Sequence, residues 1–188
     1  MVVAQDEYTA EQAVRLIQVE YEPLPAVLTP TEALAEGAPL VHSKTNGYKK
    51  VVTDVYPIEN TNIASKYSIR KGDAQSALKN SDIVVERSFS LPPSDHTAME
   101  VRTARAEISS DGDVLITSSS QSPYAIRKML SETFLVPAGK IQVKVPFVGG
   151  GFGGKAPVFL EILAFLASRS VGGRAVRLTI PREQDMVS

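Results

Sequence analysis

The sequence predicts an α+β fold, and three observations carry that prediction. Apolar residues alternate over short runs and then repeat at helical spacing, so that from Ile83 onward the order reads β-β-β-α-β-α-β. Turn chemistry separates the runs: Asp111-Gly112-Asp113 between two alternating stretches, Ser122-Pro123 at a helix start, and Gly172-Gly173 after a helix. Five of the twelve glycines fall within positions 149–154, between an apolar β-type run and an apolar helical run. Glycine loses the most backbone freedom on folding, so this density implies a backbone that must approach something closely.

In chain order, Thr9-Ala10-Glu11-Gln12 reads as a capping box, with Thr9 as N-cap. Ala10, Ala13, Val14 and Ile17 follow at helical spacing and predict a core-facing helix of about three turns. Val19 and Tyr21 alternate with Glu20 and Glu22 as in a short strand, stopped by Pro23 and Pro25. One helix and one strand cannot bury their apolar faces alone, so this start resembles the tail of a domain. From Pro30 to about Arg70 the pattern is a connector, with a helical turn at Thr31 to Glu36 and a turn at Gly37-Ala38-Pro39. Asn46-Gly47 is a hairpin signal, but Lys44, Lys49 and Lys50 around it are too polar for flanking strands.

Asp73 is a suitable N-cap for a short helix, Ala74 to Lys79. Strands are predicted at Ile83 to Phe89, Thr103 to Ile108 and Val114 to Ser118. Serine at N-cap and proline at N1 open the next helix, whose stripe is Ile126, Met129, Leu130, Phe134 and Leu135 and which Pro137 ends. Strand Ile141 to Val145, the glycine loop, an apolar helix from Pro157 to Leu166 and strand Ala175 to Ile180 complete the chain.

Composition narrows the function. At 188 residues the chain suits one domain, or one domain with a fragment, and 43% hydrophobic with 22% charged residues is ordinary for a globular protein. Lys plus Arg (20) balances Asp plus Glu (21) without clusters, so no field points to nucleic acid or an anionic membrane. The absence of cysteine rules out a disulfide framework, a thiolate metal site and an iron–sulfur cluster held by this chain. That usage suits a cytoplasmic location. No apolar run reaches the roughly 18 residues of a membrane span, and the N-terminus lacks the basic and apolar regions of a signal peptide.

Free N–H groups at a helix N-terminus favour an anion, so an anionic ligand is the first expectation for the loop. Gly149, Gly151 and Gly154 satisfy the spacing G-x-G-x-x-G of dinucleotide sites. The acidic residue that should hold a ribose is missing, since Glu183 is the first acid after the next strand and lies too far on. Gly149 with Gly154-Lys155 also satisfies most of a P-loop, but Ala156 stands where a hydroxyl must reach Mg²⁺. A stand-alone nucleotide- or cofactor-binding module is therefore the alternative reading.

Wider segments decide between them. Val148 to Lys155 (VGGGFGGK), with Gln121 upstream and VRLTIPREQDM downstream, resembles the molybdenum-cofactor-binding subunit of the xanthine dehydrogenase, aldehyde oxidase and carbon monoxide dehydrogenase family. AEQAVRLIQVEYEPLPAV resembles the end of that family's α/β-hammerhead domain, and TEALAEGAPLVH the connector after it. GDAQSALKNSDIVVERSF and HTAMEVRTARAEI resemble the opening of the cofactor-binding region. The implied organisation is a hammerhead tail at 1–28, a connector at 29–70 and the N-terminal portion of a molybdopterin-binding domain at 71–188.

The resemblance implies a cofactor held by its own dithiolene sulfurs, molybdopterin with molybdenum, usually as a cytosine dinucleotide in bacteria. It implies cofactor contacts at Gln121, Gly150, Gly151, Phe152 and Gly153: the glutamine beside the metal's oxo ligand, the Phe-Gly pair beside the dithiolene. The parent reaction is hydroxylation of an N-heterocycle or aldehyde with oxygen from water. Electrons leave through iron–sulfur and FAD partners. The family's glutamate base lies in a segment with no match here, so the chain reads as a fragment, not catalytic alone and self-associating into a homo-oligomer through uncovered apolar faces.

Simpler roles stand beside these. Phe152 is by default a core aromatic and Gln121 a polar residue before a helix cap. Lys155 reads as a solvated charge. His96 and Glu100 match a His and Glu of the family but are structural by default, as hydrogen-bonding groups at a turn. Glu161, the lone charge on an apolar helix, reads equally as structural or functional. Many purine hydroxylases carry glutamate after the GGFGGK motif; here it is Ala156, so their substrate contacts do not carry over.

Overall fold

A computed structural model describes residues 1–48 and 55–187. The chain divides into two compact units, one formed by Met1–Ile17 with Leu91–Ser188, the other by Gln18–Ser90.

The first unit is built on a four-stranded mixed sheet in the order β3-β2-β1-β4, with β1 Thr103–Ile108, β2 Val114–Ser118, β3 Ile141–Lys144 and β4 Val176–Thr179. Strands β1 and β2 form an antiparallel hairpin through the expected Asp111-Gly112-Asp113 turn, in which Gly112 takes φ +79°. Strand β3 runs parallel to β2, a pairing that requires a crossover such as the helix connecting them. That helix is α4, Pro123–Phe134, closed by Leu135 in the left-handed conformation two residues before Pro137. The apolar helix α5, Leu160–Ser170, then carries the chain to β4, which pairs with β1.

Both helices pack on one face of the sheet. Ala104, Ala106, Val114, Ile116 and Ile141 supply that face, Ile126 and Leu130 come from α4, and Leu160, Ala164 and Phe165 come from α5. The small side chains of Ala104 and Ala106 let α5 lie close on β1, and Ala164, Ala167 and Ser168 answer them with no exposed surface. Gly173 fixes the return to β4: its φ is +83°, and a Cβ there would fall 2.4 Å from the Ile108 carbonyl oxygen. At the N-terminus α1, Glu7–Arg15, buries no residue, so the expected core-facing helix is a surface helix. Its N-cap is Asp6, whose carboxylate accepts from the Thr9 N–H at 2.7 Å, and not Thr9 as the capping-box spacing predicted. Asp6 won because its acceptor reaches the third N–H of the helix directly.

In the second unit α2, Pro30–Ala33, carries a capping box between Thr29 and Glu32, one turn long and slightly earlier than predicted. Asn62 stitches the segment after it, with Nδ2 donating to the Ala33 and Pro39 carbonyls and Oδ1 accepting from the Val41 N–H. Thr45–Gly47 forms a single 3-10 turn. Lys49 and Lys50 of the hairpin signal lie outside the described residues. Helix α3, Ala74–Lys79, begins at Asp73 as expected, with the carboxylate accepting from the Ser76 N–H at 3.0 Å.

The strand predicted at Ile83 to Phe89 does not form. No strand exists among the described residues of that unit to complete a ladder, and Ile83 and Phe89 remain exposed. Val19 and Tyr21 likewise stay unpaired and exposed. A further helix absent from the sequence reading, α6 at Arg182–Asp185, follows Pro181.

Candidate functional site

Three segments of the first unit converge on the glycine loop: residues 95–102 before β1, Ser118 to Gln121 at the end of β2, and the loop itself between β3 and α5. Ser120 and Gln121 grip Lys155 from one side. The Ser120 hydroxyl and the Gln121 N–H both donate to the Lys155 carbonyl, at 3.2 and 3.0 Å. The Gln121 side chain completes the grip, its Oε1 accepting from the Gly153 N–H at 3.0 Å and the Lys155 N–H at 3.3 Å. Two N–H donors on one atom identify that atom as oxygen, so the amide nitrogen lies on the side away from them. That nitrogen donates to no described residue.

Glu100 holds the other side. Its N–H donates to the Gly149 carbonyl at 3.1 Å, and its Oε2 accepts both the Gly149 N–H at 2.9 Å and the Lys155 ammonium at 2.7 Å. Burial alone would raise the Glu100 carboxyl, but the hydrogen bonds from Lys155 and Gly149 and the lysine's charge outweigh it and hold the group below its ordinary value. Lys155, read from sequence as a solvated charge, is instead 4% exposed. An ammonium can be buried there because a carboxylate is bonded to it.

The glycines answer to this packing. A Cβ on Gly149 would lie 2.6 Å from the Glu100 Cβ, one on Gly151 2.6 Å from the Gln121 Oε1, and one on Gly154 2.9 Å from the His96 Nδ1. The close approach inferred from sequence is thus made, at three positions, to side chains of this same chain. The expected helix N-terminus is also not at the loop. Helix α5 begins only at Leu160, and its start is served by Glu161, whose carboxylate accepts from the Phe159 N–H at 3.1 Å and from the buried Ser118 hydroxyl. Glu161 has a structural role here.

What the loop offers a ligand is narrower and sharper. The N–H groups of Gly150, Gly151 and Phe152 have no protein acceptor among the described residues, whereas those of Gly149, Gly153, Gly154, Lys155 and Ala156 are all committed. Three successive free donors, with Gly150 at φ +97° and Phe152 at φ +50°, are left available to acceptor oxygens. Phe152 is 73% exposed, so it is not the core aromatic that its residue type suggests. A bulky residue held left-handed costs about 1 kcal/mol or more, and such strain gathers at ligand sites.

Beside the loop lies a cleft of ≈ 470 Å³ lined by His96, Arg102, Gly153, Lys155 and Phe159, among others. A larger hollow of ≈ 820 Å³ lies at β3 and the start of α4, lined by residues such as Tyr124, Arg127 and Lys140, and includes none of the loop. Helix α6 braces the segment before β1: the Arg182 guanidinium donates to the Ala98 and Met99 carbonyls, and Asp185 pairs with Arg102 at 2.8 Å. Sequence reasoning missed this brace, although Pro181 followed by Arg182 and Asp185 at i,i+3 spacing is a helix-start signal. The five predicted contact residues do come together, Gln121 against Gly151 and Gly153, with Gly150 against the Phe152 ring. No cluster of three His, Cys, Asp or Glu able to hold a metal occurs among the described residues, and no helix among them is long and apolar enough to cross a membrane.

A mixed sheet with helices on one face thus carries, at its end, a glycine loop with unpaired backbone donors. Residues 55–188 match the family described as the molybdopterin cofactor-binding domain, and the chain belongs to that family. It is 33% identical over 184 residues to the putative xanthine dehydrogenase molybdenum-binding subunit of Escherichia coli, covering 98% of this chain and 22% of that protein. Among solved structures it resembles quinoline 2-oxidoreductase from Pseudomonas putida, with a TM-score of 0.78 and 32% identity over 97% of this chain and 21% of that one. It also resembles carbon monoxide dehydrogenase from Oligotropha carboxidovorans, with a TM-score of 0.83 and 26% identity, covering 97% and 23%. The chain spans about a fifth of the length of these relatives. The donor set fits the family's group: a molybdenum held by the cofactor's own sulfurs would need no cysteine, and a pterin and phosphates would offer acceptors to the free N–H groups.

Proposed function

We propose that this chain forms one wall of the molybdenum-cofactor site of a molybdenum hydroxylase large subunit. The observation that carries the reading is the run of unpaired N–H groups at Gly150, Gly151 and Phe152 beside the free amide nitrogen of Gln121. In this reading the three N–H groups bind acceptor atoms of the cofactor, and Gln121 donates from its amide nitrogen toward the metal's oxygen ligand. The exposed Phe152 ring lies against the dithiolene side. Gly153, whose N–H is already committed, contributes its left-handed turn. The cofactor, taken as the cytosine dinucleotide form, supplies the redox chemistry of hydroxylation with water as the oxygen source.

The wider assignment follows the same family logic. Residues 1–28 are the hammerhead tail, 29–70 the connector and 71–188 the cofactor-binding portion, in a cytoplasmic enzyme with iron–sulfur and FAD partners acting on an N-heterocycle or aldehyde. The chain spans about a fifth of the relatives' length, and in this reading the catalytic base belongs to the portion it does not span. The isolated chain is accordingly non-catalytic. It binds the cofactor weakly, because one wall cannot complete its burial, and it self-associates through apolar surface.

Equilibrium dialysis of the chain against molybdopterin, ATP and NAD tests the reading. Weak molybdopterin uptake lost in Gly151→Val, with no nucleotide uptake, is expected. Micromolar ATP or NAD binding abolished by Gly151→Val would instead establish a nucleotide module. Stoichiometric molybdenum in the purified chain would contradict its weakness alone.

A further inference from the structure

We propose that Glu100 and Lys155 are positioning residues whose ion pair clasps the two ends of the glycine loop and presets its free N–H groups before a ligand arrives. The proposal rests on the reading of the loop as a cofactor wall, and adds to it the device that holds the wall in shape.

The geometry is that of a clasp. Gly149 and Lys155 are the first and last residues of the loop, and both bind the same carboxylate oxygen, Glu100 Oε2, at 2.9 and 2.7 Å. The Glu100 N–H returns a bond to the Gly149 carbonyl, so the residue holds that end by backbone and side chain together. At the Lys155 end, the carbonyl is taken by Ser120 and Gln121 and the N–H by Gln121 Oε1, which anchors the backbone from which the ammonium reaches Glu100. Only residues 150–152, midway between the two anchored ends, keep uncommitted donors.

The pair also settles what Lys155 does not do. The Gly-Lys sequence resembles a phosphate-binding P-loop, in which the ammonium must reach the ligand. Here the ammonium is bonded to Glu100, and the lysine side chain is 3% exposed. Its charge is spent inside the protein. Removing either partner would leave the other without its counter-charge, and the loop ends would lose their shared anchor.

The test is amide hydrogen exchange of the full chain as wild type, Glu100→Gln, Lys155→Met and the double variant, with the Ala106 and Ile116 amides of the sheet as internal standards. Each single change is expected to speed exchange at Gly149 and Gly153 about tenfold while the standards hold. That sits at the low end for a charge-assisted bond because the Glu100 side chain is 37% exposed. The double variant is expected to be no faster than the faster single, since both changes open one clasp. Loop exchange unchanged in either single variant overturns the proposal, as does multiplication of the two effects. Loss of protection at Ile116 in the near-isosteric Glu100→Gln overturns it too, for the pair would then be a support of the whole fold. If the wild-type chain takes up no molybdopterin, the cofactor reading fails while the exchange result still decides the clasp.

Discussion

Replacing Gly149 by alanine probes the loop where it is least able to yield. The added Cβ would sit 2.6 Å from the Glu100 Cβ, against an ordinary carbon–carbon contact of about 3.5–4.0 Å, so one backbone must retreat by about 1 Å. The neighbour is the stem of a residue whose own N–H is engaged, not the tip of a flexible chain. Retreat by that amount stretches the Glu100 N–H to Gly149 carbonyl bond (3.1 Å) and the Gly149 N–H to Glu100 carboxylate bond (2.9 Å) beyond useful length. A neutral bond is worth about 1 kcal/mol net and one to a carboxylate about 1.5–3 kcal/mol, taken low here because the Glu100 side chain is 37% exposed. The sum, about 2.5 kcal/mol, is roughly a seventyfold rise in loop opening. Exchange at the Glu100 and Lys155 amides reads it. Gly139→Ala is the control, because nothing lies within 4 Å of the Cβ it adds. Glu100 exchange in Gly149→Ala within about twofold of wild type would refute the close-approach account.

Two further outcomes follow from the same contacts. Glu100 is held below its ordinary value of 4.5, so its anchoring is fully present above that value and is lost as pH falls through its lower folded value; loop protection should be flat above about pH 5 and decline only in more acid solution, and a decline beginning near neutrality would contradict the pairing. Glu161→Ala removes the acceptor of the buried Ser118 hydroxyl and of the Phe159 N–H, and a urea titration followed by circular dichroism should show a loss of about 2–3 kcal/mol, partly recovered in the double variant with Ser118→Ala because the orphaned hydroxyl is gone.

The parts of the fold governed by local chemistry were legible in the sequence. The bounds predicted for β1 and β2 match those observed, because alternation and an Asp-Gly turn act over neighbouring residues. Pro123, Pro137 and Gly172 mark helix ends for the same reason, whereas Leu135, expected in the apolar stripe of α4, is its exposed left-handed C-cap. Ile83 to Phe89 misled because β propensity reports fitness for a pleated surface, and no such surface is present in its unit among the described residues. The site shows the same limit. Five contact residues could be named from family resemblance, but the reason for the glycines lies in Glu100, Gln121 and His96, which are 30 to 58 positions away in sequence from the glycines they meet. Burial of Lys155 could not be read at all, since it depends on a carboxylate 55 residues earlier. Charge type along a chain does not reveal pairing across it.

In the proposed site the N–H groups of Gly150, Gly151 and Phe152, with the Gln121 side-chain amide, receive the molybdenum cofactor. Amide chemical shifts of the full chain recorded during addition of molybdopterin test it directly, since such shifts register even weak binding. Movement is expected at those three backbone amides and at the Gln121 side-chain NH₂, with little at Gly149 and none on addition of ATP. Silence at 150–152 while residues of the larger hollow, such as Tyr124 and Arg127, respond would contradict it.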